Sequence, residues 1–258
     1  MNQNFKGRFI LAACISISLI ACNGNEKKDE KAATTDGTKT ENVEPVSNNA
    51  DMDAVKVAPD LYKILKDTLG IRIVEVSYKP GDSSAMHWHP DYAIITTEGG
   101  TATFYGKDGS KMESEMKTGM TLVKAGEFHS VKNTGKAVLK VVLVEVNRTG
   151  PVTMPDAALD ATKVAPNLYK MLNDSLGIRV LSINYKPGQS SAMHAHPDAV
   201  LYVFDSATSE FTGKDGKKTV MKLEKGMTAF IPADTHSVKN TGNTTVKAIL
   251  VEVNRAMK

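Results

Sequence analysis

The chain has 258 residues, 41% hydrophobic and 24% charged, a balance that places it among ordinary globular proteins. Its formal charge is +3; Lys6 and Arg8 lie in a leader expected to be removed with no acidic residue, which leaves 3 − 2 = +1. A value so near zero gives no basis for nucleic-acid binding or for charge-driven attachment to a membrane surface.

Lys6 and Arg8 open the leader, and Phe9 to Ala21 is an apolar run too short to span a bilayer. It ends in Leu19-Ile20-Ala21-Cys22, which resembles the lipobox of bacterial lipoproteins. The resemblance implies a signal peptide over residues 1–21, cleavage before Cys22 and diacylglycerol on its sulfur. An ordinary signal peptide with a chance cysteine is the alternative. Cys14 leaves with the leader, so the mature chain is expected to carry neither a disulfide nor a free thiol. Residues 22–53 are polar and almost without large apolar side chains. Such a stretch cannot bury enough surface to offset its chain entropy, and it is predicted to be a disordered tether. The expected address is the bacterial cell envelope, periplasmic or at the outer-membrane surface, with the lipid as the only membrane contact.

Beyond the tether the chain repeats itself. Residues 54–148 align without a gap on residues 161–255, and 50 of these 95 positions are identical by direct count. A period of 107 residues is a duplicated domain and not a solenoid. The predicted organisation is a first domain over 54–148, a linker over 149–160 with two prolines, and a second domain over 161–258. Within each copy the signals are those of strands. Leu61, Ile64, Leu65 and Leu69 have the spacing of one amphipathic helix, but two strands paired around Leu69-Gly70 are the preferred reading. Ile71 to Tyr78 alternates and is rich in β-branched residues, and Lys79-Pro80-Gly81 stops it. Gly106-Lys107-Asp108-Gly109 and its counterpart at 213–216 are hairpin turns, since Asp-Gly supplies the positive φ angles that tight turns need. Val138 to Val146 and Val246 to Val253 are further strands. Many short strands in so few residues predict an all-β barrel or jelly roll.

All six histidines fall in one pattern that occurs twice: His87-Trp88-His89-Pro90-Asp91 with a later His129, and His194-Ala195-His196-Pro197-Asp198 with a later His236. On a strand, residues i and i+2 share a face, so His87 and His89 look the same way and Trp88 the other. His129 follows about 40 residues later and is expected to tie a distant strand to them across the barrel. Imidazole suits zinc, copper, iron, nickel and manganese sites, and three of them leave coordination positions open for water or substrate. The predicted metal ligands are therefore His87, His89 and His129 in one copy and His194, His196 and His236 in the other.

These motifs resemble those of the cupin superfamily. Gly81/His87/His89 and Gly188/His194/His196 match its first motif, Gly-x5-His-x-His. Gly119, Ala125, His129 and Asn133, with Gly226, Pro232, His236 and Asn240, resemble its second, one residue shorter than usual. The resemblance covers nearly all of both repeats and is strongest to small cupins that read His-x-His-Pro-Asp. It implies a bicupin: two tandem double-stranded β-helix (jelly-roll) barrels, each holding a divalent metal. The usual cupin adds a glutamate three or four residues after the second histidine. Tyr92/Ala93 and Ala199/Val200 stand there instead. Asp91 and Asp198, two residues past the histidine, either take its place or serve as turn residues. Without a carboxylate the ion's charge is left uncompensated, which favours an anionic ligand or bound hydroxide. Some cupin dioxygenases also use three histidines, whereas oxalate decarboxylases resemble bicupins that keep the glutamate.

The copies diverge near the expected pocket. Trp88, Tyr92 and Ile95/Thr97 of the first become Ala195, Ala199 and Tyr202/Phe204 in the second, which is expected to turn an inward wall from partly polar to aromatic. Tyr92 and Tyr202 are the candidate proton donors; Ser83-Ser84 and Ser190-Ser191 read as turns. Two functions fit: a metal-dependent enzyme acting on a small polar or anionic molecule, such as a dioxygenase, or a non-catalytic cupin that binds metal or a small ligand. A monomer or a homodimer is compatible with either.

Overall fold

The computed structural model describes residues 49–154 and 156–258. The expected signal peptide, Cys22 and most of the expected tether lie outside the described residues. Its last residues carry local structure. Asn49–Met52 form a 3-10 turn, and Asp53 caps the short helix α1 (Ala54–Val57) by accepting from the Val55 amide at 3.0 Å. Among the described residues no helix is long and apolar enough to cross a membrane.

The first repeat folds into nine strands: β1 (Tyr62–Thr68), β2 (Ile71–Tyr78), β3 (His87–His89), β4 (Asp91–Glu98), β5 (Gly100–Gly106), β6 (Lys111–Met116), β7 (Thr121–Lys124), β8 (Glu127–Asn133) and β9 (Leu139–Val146). They form a five-stranded sheet in the order β1-β2-β9-β4-β7 and a four-stranded sheet in the order β3-β8-β5-β6, with every pairing antiparallel. The second repeat opens with α2 (Ala161–Val164) and copies this plan through β10 (Tyr169–Ser175), β11 (Ile178–Tyr185), β12 (His194–His196), β13 (Ala199–Asp205), β14 (Ala207–Gly213), β15 (Lys218–Leu223), β16 (Thr228–Ile231), β17 (Asp234–Asn240) and β18 (Val246–Val253). The all-β expectation holds. The Leu61–Leu69 stretch is an edge strand and not a helix, and Leu69 and Gly70 make the turn with φ of 49° and 68°. Ile64, Leu65 and Leu69 are exposed, so their helical spacing marks no buried face.

Each barrel keeps its own apolar interior, built in the first from residues such as Val74, Val76, Ile94 and Leu143. A third cluster joins the two barrels. Ile71, Ile73, Ala93, Ile95, Val142, Val144 and Val146 pack against Ile178, Val180, Val200, Ile249, Val251 and Val253. This explains why β9 and β18 read as almost continuous apolar runs: they are buried on both faces. Each large aliphatic side chain hidden there contributes roughly 1.5–3 kcal/mol. The seam is fastened by two reciprocal ion pairs, Arg148 with Asp198 at 2.5 Å and Arg255 with Asp91 at 2.6 Å.

One expectation fails at this seam. Ile95, Tyr202 and Phe204 do not line a pocket; they pack between the barrels. The chain turns at Pro90 and the alternation restarts, so Tyr92 and Ile94 face the barrel interior while Ala93 and Ile95 face the other repeat. A shift of one residue sends every side chain of a strand to the opposite face.

Candidate metal centre

β3 is only three residues long, and it buries His87 and His89 while half-burying Trp88 between them. His129 is not on a strand across the barrel. It lies on β8, directly beside β3, where it stands opposite His87 in the antiparallel register. The three rings are 4.8 to 5.1 Å apart, and their ligand atoms lie within 4.8 Å of one another. The second repeat brings His194, His196 and His236 together in the same way. All six predicted ligands therefore converge, three to a barrel.

The hydrogen bonds settle which nitrogen of each ring faces inward. His87 Nδ1 donates to the Ala85 carbonyl at 2.8 Å, His89 Nδ1 to Glu145 Oε1 at 2.6 Å, and His129 Nδ1 lies 3.3 Å from Glu127 Oε1. With Nδ1 carrying the proton in each ring, Nε2 carries the lone pair; those of His87 and His194 accept from the Tyr62 and Tyr169 hydroxyls, which a bound cation would displace. The second triad repeats this with the Ala192 carbonyl at 2.8 Å, Glu252 at 2.6 Å and Asp234 at 3.2 Å. Burial above all holds His87 down at about 3 and His194 at about 4, with neighbouring imidazoles of the triad adding to the effect. Burial also lowers His129 and His236. Neutral imidazoles with aligned lone pairs are what a divalent ion requires, so the donor set fits one.

The carboxylate missing from the first motif is present one step behind the ligands. Glu145 sits in the apolar run of β9, fully buried, between His89 and Arg72, and Arg72 in turn pairs with Asp53 at 2.6 Å. In the second barrel Glu252, Arg179 and Asp160 form the same chain, although Arg179 stands 3.2 Å from Glu252 without the alignment of a hydrogen bond. Each glutamate faces the triad through an imidazole and is itself paired with an arginine, so a bound ion would still have only neutral imidazoles as its protein ligands. Asp91 and Asp198 do not reach the triads. Each accepts from a backbone amide ahead of the third histidine, Gly126 at 2.7 Å and Ala233 at 2.9 Å, and pairs with the other repeat's arginine.

The tyrosines fall differently from expectation. Tyr92 lies beside the first triad, its ring 5.0 Å from that of His89, and its hydroxyl donates to Glu127 at 2.8 Å. Burial, reinforced by Glu127, pushes its phenol far up. Burial also opposes the Glu127 charge, but hydrogen bonds from His129, Lys124 and Tyr92 outweigh it and bring that carboxyl to about 2. Tyr202 is not at a metal centre; it meets Phe204 edge to face in the seam, beside Thr97 and Glu98 of the first repeat. The tyrosines hydrogen-bonded to the histidines are Tyr62 and Tyr169, which sequence reasoning missed. Their hydroxyls stand 3.0 Å from Nε2 of His87 and His194, and each is hydrogen-bonded to a second buried phenol, Tyr78 or Tyr185. They recur at the same 107-residue offset as the histidines, a mark they share with half of the repeat.

The space in front of the two triads is unequal. In the first barrel a cavity of about 40 Å³ lies among Tyr62, His89 and Tyr92, with an outer hollow of about 200 Å³ at the mouth. The second barrel holds one cavity of about 320 Å³ reaching His196 and His236.

Residues 74–145 match the family model described as cupin domain. No curated protein matches the sequence. Among solved structures, AerE from Microcystis aeruginosa is 14% identical, with 75% of this chain and 97% of that one covered and a TM-score of 0.54. Bacillus subtilis oxalate decarboxylase, a structure described through its Mn(II) centres, is 12% identical over 74% of this chain and 71% of its own, with a TM-score of 0.52. Identities this low speak to the fold alone. The chain thus has the bicupin fold, two tandem cupin barrels, each with three histidines grouped to hold a divalent metal.

Proposed function

We propose that the protein is a lipid-anchored, envelope-facing metal-dependent enzyme that acts on a small molecule with a polar or anionic head, as an oxygen-using dioxygenase would. The observation that carries this reading is the tautomer of the six histidines. Each Nδ1 has an acceptor of its own, so each Nε2 carries the lone pair a cation can take, those of His87 and His194 in exchange for the hydroxyls of Tyr62 and Tyr169.

His87, His89 and His129, with His194, His196 and His236, would hold iron, manganese, zinc, nickel or copper. Such an ion supplies Lewis acidity and, where redox-active, electron transfer. The chain's own residues supply the rest. Glu145 and Glu252 orient the middle imidazole, Tyr62 and Tyr169 keep a phenolic proton beside the first one, and the apolar barrel walls exclude water. One observation favours a non-catalytic role for the first half, as a metal-binding or ligand-sensing barrel: Tyr92 fills the space before its triad.

Elemental analysis of untagged protein is expected to find two divalent ions per chain, and His87→Ala or His194→Ala about one fewer. No stoichiometric metal in any form would remove the basis of the proposal. Oxygen uptake by the iron-, manganese- and zinc-loaded protein with a metabolite panel separates turnover from mere binding. Acyl labelling of the natural chain against Cys22→Ser tests the anchor.

A further inference from the structure

The unequal space before the two triads has an identifiable cause. Tyr92 crosses the first barrel from β4 to Glu127 on β8, dividing the interior into a small inner void and an outer hollow. The second repeat carries Ala199 at that position, the shorter Asp234 in place of Glu127 and Ile231 in place of Lys124. Nothing crosses, and the cavity runs unbroken at about 320 Å³ from the histidines past Leu201, Phe211, Met227 and Leu250. Its polar groups gather at the metal end, where Tyr169, His196, His236 and Asp234 meet it; the remaining wall is almost entirely aliphatic and aromatic.

We infer that substrate binding belongs to the second barrel alone, and that its ligand is a small amphipathic anion: a carboxylate-type head on the metal and an apolar body lying along the Leu201–Phe211 wall. This rests on the metal-centre reading above and narrows it. A divalent ion held by three neutral imidazoles attracts an anionic head. The cavity accommodates roughly ten water-sized groups at about 30 Å³ each, so the body is of similar size. Very small, wholly polar anions leave the apolar wall uncovered and bind weakly.

The test uses the full mature chain loaded with zinc and straight-chain carboxylates from acetate to decanoate, followed by titration calorimetry, with zinc content measured on every sample. One ligand is expected per chain, with the dissociation constant falling about fourfold per methylene until the cavity is full. Ala199→Tyr, which rebuilds the Tyr92 crossing in the second barrel, is expected to weaken binding at least tenfold with both zinc ions retained. Tyr92→Ala is expected to open the first barrel and give a second equivalent of ligand, an outcome that does not depend on Ala199→Tyr folding. Two equivalents in the natural chain, acetate as tight as octanoate, or no carboxylate bound by protein holding two zinc ions would each overturn the inference and leave the metal centres standing. Absence of zinc would overturn the reading beneath it.

Discussion

Glu145 shows how much of each centre is built by residues that hold no metal. Its carboxylate fixes the His89 tautomer from a wholly buried position, and Arg72 and Asp53 hold the carboxylate. Glu145→Gln keeps the shape but lets the amide present a donor to Nδ1, and metal affinity in that barrel is expected to fall 10- to 100-fold while the other barrel is unaffected. Competition titration against a coloured chelator reads the two sites separately. The histidines also make stability depend on pH. In the metal-free chain His87 and His194 stay neutral down to about 3 and 4, whereas unfolding returns them to 6.5. The unfolded state therefore binds more protons below pH 6.5, so stability is complete above that value and is lost as the pH falls towards 4. Each tenfold difference in proton affinity between the folded and unfolded chain is worth about 1.4 kcal/mol, so the two rings together contribute on the order of several kcal/mol. Melting temperatures of chelated protein should drop steadily from pH 7 to 5, and a flat profile would contradict the assignment. The six histidines were legible in the sequence because their spacing and repetition are local. Glu145 and Tyr62 were not, because each meets its histidine only through folding, 56 and 25 residues away in the chain. A charged residue inside the apolar run of β9 was nevertheless a visible signal.

At the scale of the element, the β1–β2 hairpin turns on a leucine in the left-handed region, and so does its counterpart at Leu176. A branched side chain there costs about 1–2 kcal/mol, and nothing is gained in return because Leu69 is exposed. Leu69→Asn, better suited to that backbone, is expected to raise stability by about 1 kcal/mol, visible as a higher urea midpoint with an unchanged slope. The strands themselves could be read from alternation and turn residues. The phase of β4 could not. His87 and His89 fix the inward face of β3, but Pro90 interrupts the ladder before β4 begins, and the parity of one strand does not carry to the next. That single step is why Tyr202 was expected at a metal centre and lies in the seam instead.

At the scale of the whole molecule, the reciprocal arginines join what duplication made. Arg148 closes the first repeat yet pairs with Asp198, two residues past the His196 ligand, and Arg255 returns the contact to Asp91. Arg148→Met leaves Asp198 largely buried without its counter-charge, and a loss of about 3 kcal/mol is expected in urea unfolding. Adding Asp198→Asn should recover part of it; strict additivity of the two changes would show that the pair is not coupled. The duplication was evident from residue counts alone. How the halves meet was not, because the apolar faces of β9 and β18 do not name their partner. Their covalent joining has a consequence for the tyrosine that crosses only one interior. Two identical subunits related by symmetry must both carry such a plug or both lack it. A fused pair is free of that constraint, so one half can close over its ion while its twin stays open to visitors.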